Sequence, residues 1–166
     1  KRYLLYIIII VSAMVLTGCG AEVHLRKAEQ SYALGEYYQA ASLYKKAYAG
    51  TPSKEKSLRA ERAYMMADCY RRINYIPRAM AAYQNAIRYK YPDTVAYRYL
   101  ADMQLRNGEY KNAAKNYNIY LDAFPNDELA LNGLQSATQS AEWKKNPTRY
   151  IVKKDALFNS KYSDFS

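Results

Sequence analysis

Two stretches, GEYYQAASLYKKAYAGTP from Gly35 to Pro52 and GEYKNAAKNYNIYLDAFP from Gly108 to Pro125, align residue for residue without a gap. Between them NYIPRAMAAYQNAIRYKYP, Asn74 to Pro92, repeats the pattern with one extra residue before the proline. Each unit follows about fourteen residues of helical periodicity, so the period is near 34 residues. The residue types have physical reasons. Glycine at the head supplies a backbone conformation with positive φ, where one helix stops and the next begins. Asparagine at position 74 is a tolerable replacement, because it visits the left-handed region more readily than most residues. Alanines let two helices of a hairpin cross closely, and tyrosines fill the gaps between successive hairpins. The proline cannot donate to the preceding turn and ends the second helix. The chain therefore reads as a stack of three helix hairpins.

Working outward, SKEKSLR at 53–59 is a polar insertion that either lengthens the first helix of the second hairpin or loops out. After Pro125, Leu129, Leu131, Leu134, Ala137 and Ala141 fall at helical spacing behind an Asn126 or Asp127 cap, which predicts a lone helix covering the last hairpin. Beyond Pro147 the helical period is lost and RYIV reads as a short strand. At the other end, Lys1-Arg2 precede about fourteen nearly all apolar residues, Tyr3 to Leu16, too short a run to span a bilayer comfortably. That is the anatomy of a secretory signal peptide. Leu16-Thr17-Gly18-Cys19 resembles the bacterial lipobox, which implies cleavage before Cys19 and acylation of its thiol, with two or three chains giving a stable anchor. The expected division is a signal peptide at 1–18, a lipidated terminus at 19–20, a repeat domain at 21–143 and a linker at 144–166.

The repeats resemble the tetratricopeptide repeat (TPR) family. In repeat one (about 21–54) the matching positions are Ala28, Gly35, Tyr37, Ala40, Tyr44, Ala47 and Pro52. In repeat two (60–93) they are Met66, Ala67, Tyr70, Ala79, Tyr83 and Ala86, and in repeat three (94–127) Tyr97, Leu100, Ala101, Gly108, Tyr110, Ala113, Tyr117 and Pro125. The resemblance implies an all-α right-handed superhelix of three hairpins, a capping helix at 128–143 and an extended tail. Tyr120 stands where a small residue is expected, which predicts a splayed crossing or a ring lying along the groove. His24 and Lys27 stand where apolar residues normally meet a preceding repeat, and read as solvated cap residues.

The tail FNSKYSDFS, residues 158 to 166, resembles the opening strand of the β-propeller that follows such repeats in certain Bacteroidota lipoproteins. With the lipobox and repeats in that order, the chain looks like the amino-terminal part of the PorE-like lipoproteins of the type IX secretion system, which end in an OmpA-like domain that grips peptidoglycan. The resemblance implies a periplasmic, outer-membrane-anchored coupling protein and a partner of the PorP type; peptidoglycan would be held only by domains outside these residues. The same parts also fit a TPR adaptor or chaperone-like factor in outer-membrane protein assembly.

Chemistry is sparse. The only cysteines are Cys19 and Cys69, so with Cys19 lipidated no disulfide framework holds the fold, and Cys69 reads as a small core residue. One histidine, scattered carboxylates, and no Gly-rich phosphate loop, CxxC or HExxH supply neither catalyst, metal site nor cofactor site. The formal net charge is +10, or +8 without Lys1 and Arg2, and there are twenty tyrosines. In a cell-envelope protein that charge points to acidic protein surfaces, anionic head groups or cell-wall polymer rather than nucleic acid. Counted on the family alignment, the groove-facing positions are Leu25, Glu29 and Tyr32; Tyr64, Asp68, Arg71 and Arg72; and Arg98, Asp102, Leu105 and Arg106. Converging arginines favour a carboxylate-bearing guest, with Tyr32 and Tyr64 as amphipathic anchors. Pairing with Glu29, Asp68 and Asp102 across helix turns is the competing reading. Arg71, Arg72, Arg78, Arg88 and Lys90 form a second, convex candidate.

Overall fold

The computed structural model describes residues 20–147. Cys19, the segment before it and the strand read at 149–152 lie outside the described residues. Within them the chain is helical: α1 over 20–33, α2 Tyr37–Gly50, α3 Lys56–Arg72, α4 Ile76–Arg88, α5 Val95–Arg106, α6 Tyr110–Ala123 and α7 Glu128–Lys145. From α2 to α7 each helix packs against the next, and α7 also reaches α5. This is the expected arrangement of three hairpins and a covering helix. None of the described helices is long and apolar enough to cross a membrane.

The turns are built alike. Gly35, Asn74 and Gly108 have φ of +78°, +58° and +77°. After each, two backbone bonds close the helix end: Gly35 N–H donates to Tyr32 and Glu36 N–H to Ser31, Asn74 to Arg71 and Tyr75 to Tyr70, Gly108 to Leu105 and Glu109 to Gln104. These are Schellman closures, which satisfy carbonyls that a helix end leaves orphaned. A fourth closure uses the extra residue of the middle unit. Lys90 sits at φ +61°, with its N–H on the Ile87 carbonyl and that of Tyr91 on Ala86. A lysine there carries the left-handed strain that glycine avoids.

Each hairpin buries one tyrosine at the same offset from its turn residue: Tyr44, Tyr83 and Tyr117, all under 2 % exposed. Ala28, Ala40, Ala47, Ala67, Ala79, Ala86, Ala101 and Ala113 are fully buried around them. Truncating any of these rings to alanine removes about 3–5 kcal/mol. Tyr120 is also buried; its hydroxyl donates to Asp127 Oδ2 at 2.8 Å, and its ring stacks on Phe124. The ring thus braces the entry to α7, where Asp127 Oδ1 accepts from Ala130 N–H at 2.9 Å as the N-cap.

Two expectations are corrected. Leu129 and Leu131 do not face the last hairpin but stand 67 % and 43 % exposed; Ala130 and Ala137 are the residues α7 buries. The helix meets α6 through small side chains because the Tyr117 ring occupies the interface: a Cβ on Gly133 would come under 3.0 Å from three of its atoms. His24 is half-buried rather than solvated, with Nδ1 enclosed and without a hydrogen-bond partner among the described residues.

The polar insertion lengthens a helix. Only 53–55 form a turn, and Lys56 to Arg59 become the first turn of α3. The added length brings Arg59 Nη1 to the Thr51 carbonyl at 2.7 Å. One turn on, Arg62, 3 % exposed, donates to Thr51 Oγ1 at 2.5 Å and to Glu22. Arg62 therefore ties α1 and the end of α2 to α3.

Candidate partner-binding groove

The first helices of the three hairpins, α1, α3 and α5, carry the expected groove positions. Their centre is Asp68, whose side chain is 6 % exposed. It accepts from Tyr32 Oη at 2.7 Å, across from α1, from Arg71 Nε at 3.0 Å and from Arg72 Nε at 2.7 Å. Burial pushes the Asp68 carboxyl up, but the hydrogen bonds from Arg72, Tyr32 and Arg71 outweigh it and hold it below the usual range. Burial, and then the bond to Asp68, push the Tyr32 hydroxyl up to about 12. The guanidiniums are fixed by rings as well. Arg71 lies 4.3 Å from the Tyr99 centroid, and Arg72 lies 5.3 Å from that of Tyr32 and 5.0 Å from that of Tyr37. For Arg71 and Arg72, pairing across helix turns is thus what the structure shows.

Tyr64 is masonry rather than an open anchor. Its ring stacks on Tyr91 with centroids 4.2 Å apart and meets Tyr83 edge-on at 5.8 Å. Leu25 packs on the core. Glu29 is exposed and takes no part in an ion pair among the described residues.

What the structure brings together is Arg71, Asp102, Leu105 and Arg106, which with Met103 and Tyr117 line an open hollow of about 330 Å³ between α3 and α5. Asp102 is occupied, accepting from Tyr117 Oη at 2.5 Å. Arg106 is exposed and forms no salt bridge among the described residues. Arg98 does not line this hollow; it is half-buried, with Nε unpartnered among the described residues. The hollow therefore offers one uncommitted guanidinium, Arg106, beside a fixed one, Arg71, over an apolar edge at Leu105.

The convex run does not form one patch. Arg71 and Arg72 turn to Asp68, whereas Arg78 on α4 lies 4.5 Å from the Tyr75 centroid and Arg88 donates to Asn85 Oδ1 at 2.7 Å. Among the described residues no group of three or more His, Cys, Asp or Glu could hold a metal. Burial pushes the Cys69 thiol up to about 12, so it is a poor nucleophile. Sequence reasoning missed the cross-helix bond from Tyr32 to Asp68 and the burial of Arg62. The Asp-x-x-Arg-Arg spacing from Asp68 to Arg72 was the available signal for the pairing; nothing local marked Arg62.

No protein-family model matches the chain, and no curated protein matches it. Solved structures do. The TPR-containing C-terminal domain of a Plasmodium falciparum FK506-binding protein superposes with a TM-score of 0.66 at 14 % identity, covering 78 % of this chain and 93 % of that one. The first TPR of Spaghetti (RPAP3), bound to the HSP90 peptide SRMEEVD, gives 0.63 at 22 %, covering 75 % and 95 %. The Sgt2 TPR domain of Aspergillus fumigatus gives 0.60 at 18 %, covering 82 % and 90 %. Hairpin order, turn geometry and these superpositions agree: the described residues adopt the tetratricopeptide-repeat fold.

Proposed function

We propose that this protein is a non-catalytic interaction module that docks an acidic segment of a partner protein in the hollow between α3 and α5. The observation that carries the reading is the uncommitted Arg106 facing the fixed Arg71 across that hollow. Asp68 aligns Arg71 before any guest arrives, so part of the side-chain ordering cost of binding is already met. The spare N–H groups of two guanidiniums suit carboxylates, and Leu105 offers an apolar contact. The peptide held by the Spaghetti TPR, SRMEEVD, is rich in carboxylates, which supports the same ligand class here.

The wider setting rests on the sequence. The Leu16 to Cys19 lipobox supports an acylated Cys19 anchoring the module at the periplasmic face of the outer membrane. The order of lipobox, three repeats and FNSKYSDFS supports a PorE-like role in type IX secretion, with a PorP-type partner and with peptidoglycan held by further domains.

Two measurements separate these claims. Arg106→Glu should reduce partner recovery in a pull-down from envelope extract by about tenfold, since like charges then face the acidic guest, while helical content stays unchanged; undiminished recovery overturns the groove. Arg71→Glu is the wrong probe, because it dismantles the Asp68 cluster. Mass spectrometry of the mature amino terminus should find fatty acid on Cys19, and an unacylated terminus removes the anchor but not the groove.

A further inference from the structure

A second docking surface lies on the other side of α3. At about 100° per residue, Met66 and Tyr70 project away from the face of α3 that carries Asp68 and Arg71. There α2 and α4 flank an open furrow of about 310 Å³, lined by Lys45, Met66, Tyr70, Arg78, Ala82 and Asn85. A smaller hollow continues it past Tyr38 and Ser42, sharing Lys45, Tyr70 and Arg78. Three observations set its chemistry. The floor is apolar, with Met66, Tyr70 and Ala82 buried. Neither α2 from Tyr37 to Gly50 nor α4 from Ile76 to Arg88 contains an acidic residue. Lys45 and Arg78 are exposed and form no salt bridge among the described residues. Arg78 is instead steadied by aromatic faces, 4.5 Å from the Tyr75 centroid and 5.8 Å from that of Tyr70. Tyr38, 71 % exposed, stands at the smaller hollow.

We infer that this furrow docks a second acidic protein segment, one carrying an apolar side chain beside its carboxylates. Carboxylates meet Lys45 and Arg78, and the apolar group enters between them onto Met66 and Ala82. The charge is complementary along the whole furrow, because no carboxylate of α2 or α4 opposes the guest. The recessed floor favours a chain segment over a membrane, since a bilayer surface would meet the rims and leave the floor uncovered.

The test uses the full chain in nonionic detergent and a fluorescein-labelled peptide of alternating Glu and Leu, read by anisotropy. The expected result is saturable binding that Lys45→Glu with Arg78→Glu weakens by about tenfold or more, while Arg106→Glu leaves a residual site. Ala81→Glu sets a carboxylate at an exposed furrow position without removing a native contact, and should weaken binding in the same sense. Binding unchanged by both furrow variants, or abolished by Arg106→Glu alone, overturns the proposal. So does association with mixed micelles of the detergent and phosphatidylglycerol that depends on Lys45 and Arg78 while the peptide fails to bind. Undiminished partner recovery by Arg106→Glu, together with peptide binding that depends on Lys45 and Arg78, sinks the proposed function without touching this site.

Discussion

Gly133→Ala tests the packing of the last hairpin. In an exposed helix this change gains about 1 kcal/mol of helix propensity. Here the new methyl would lie under 3.0 Å from the Cζ, Oη and Cε1 atoms of Tyr117. Ordinary contact distances require the ring to retreat, yet Tyr117 is 1 % exposed and its hydroxyl is pinned to Asp102 at 2.5 Å. Overpacking in such a site costs about 1–3 kcal/mol, and loosening a hydrogen bond to a carboxylate adds about 1.5–3 kcal/mol. Set against the propensity gain, the net loss is about 1.5–5 kcal/mol, which lowers Tm by about 5 °C or more for a domain of this size. Urea unfolding followed by circular dichroism reads it. Tyr117→Phe frees the ring from Asp102, so adding Gly133→Ala to that background should cost less, with a coupling of about 1 kcal/mol between the two sites. A rise in stability for Gly133→Ala alone would refute the reasoning, because propensity would then have outweighed packing.

Lys90→Gly should stabilise the protein by about 1 kcal/mol, since only the lysine carries the left-handed penalty at φ +61°; a shift in urea midpoint without a change in slope checks it. Asp68→Asn should cost about 3 kcal/mol at neutral pH by leaving Arg71 and Arg72 without their counter-charge. Because the folded Asp68 carboxyl titrates below its unfolded value of about 3.9, its contribution is complete above that pH and lost as pH falls through the lower folded value. The variant's stability should accordingly depend less on pH below about 4 than the parent's, as midpoints measured down to acid pH will report. Cys69, fully buried with its thiol raised to about 12, should resist a thiol-reactive dye in the folded protein and react once urea unfolds it. Labelling of the folded state at the unfolded rate would contradict that burial.

The repeat units headed by Gly35, Asn74 and Gly108 determine most of the architecture by themselves. An alanine spaced for a close crossing, a tyrosine at a fixed offset and a residue tolerant of positive φ are local requirements, so Tyr44, Tyr83 and Tyr117 and the turns at Gly35, Asn74 and Gly108 could be read directly. Lys90 shows the limit: the extra residue before Pro92 was visible, but not that a lysine takes the left-handed position there. The groove was only half legible. The family alignment placed Asp68, Arg71 and Arg72 on one face and their spacing allowed pairing across helix turns, whereas the further bond from Tyr32 arrives from another helix and is seen only in the folded chain. Nothing local marks Arg62, whose burial comes with its bonds to Thr51 at the end of α2 and to Glu22 on α1. The outward turn of Leu129 and Leu131 follows from the Tyr117 ring meeting Gly133. The repeat pattern is written within single helices and their turns, so the chain specifies it alone. Which charges remain free is set by distances between helices far apart in sequence, and those exist only once the hairpins are stacked.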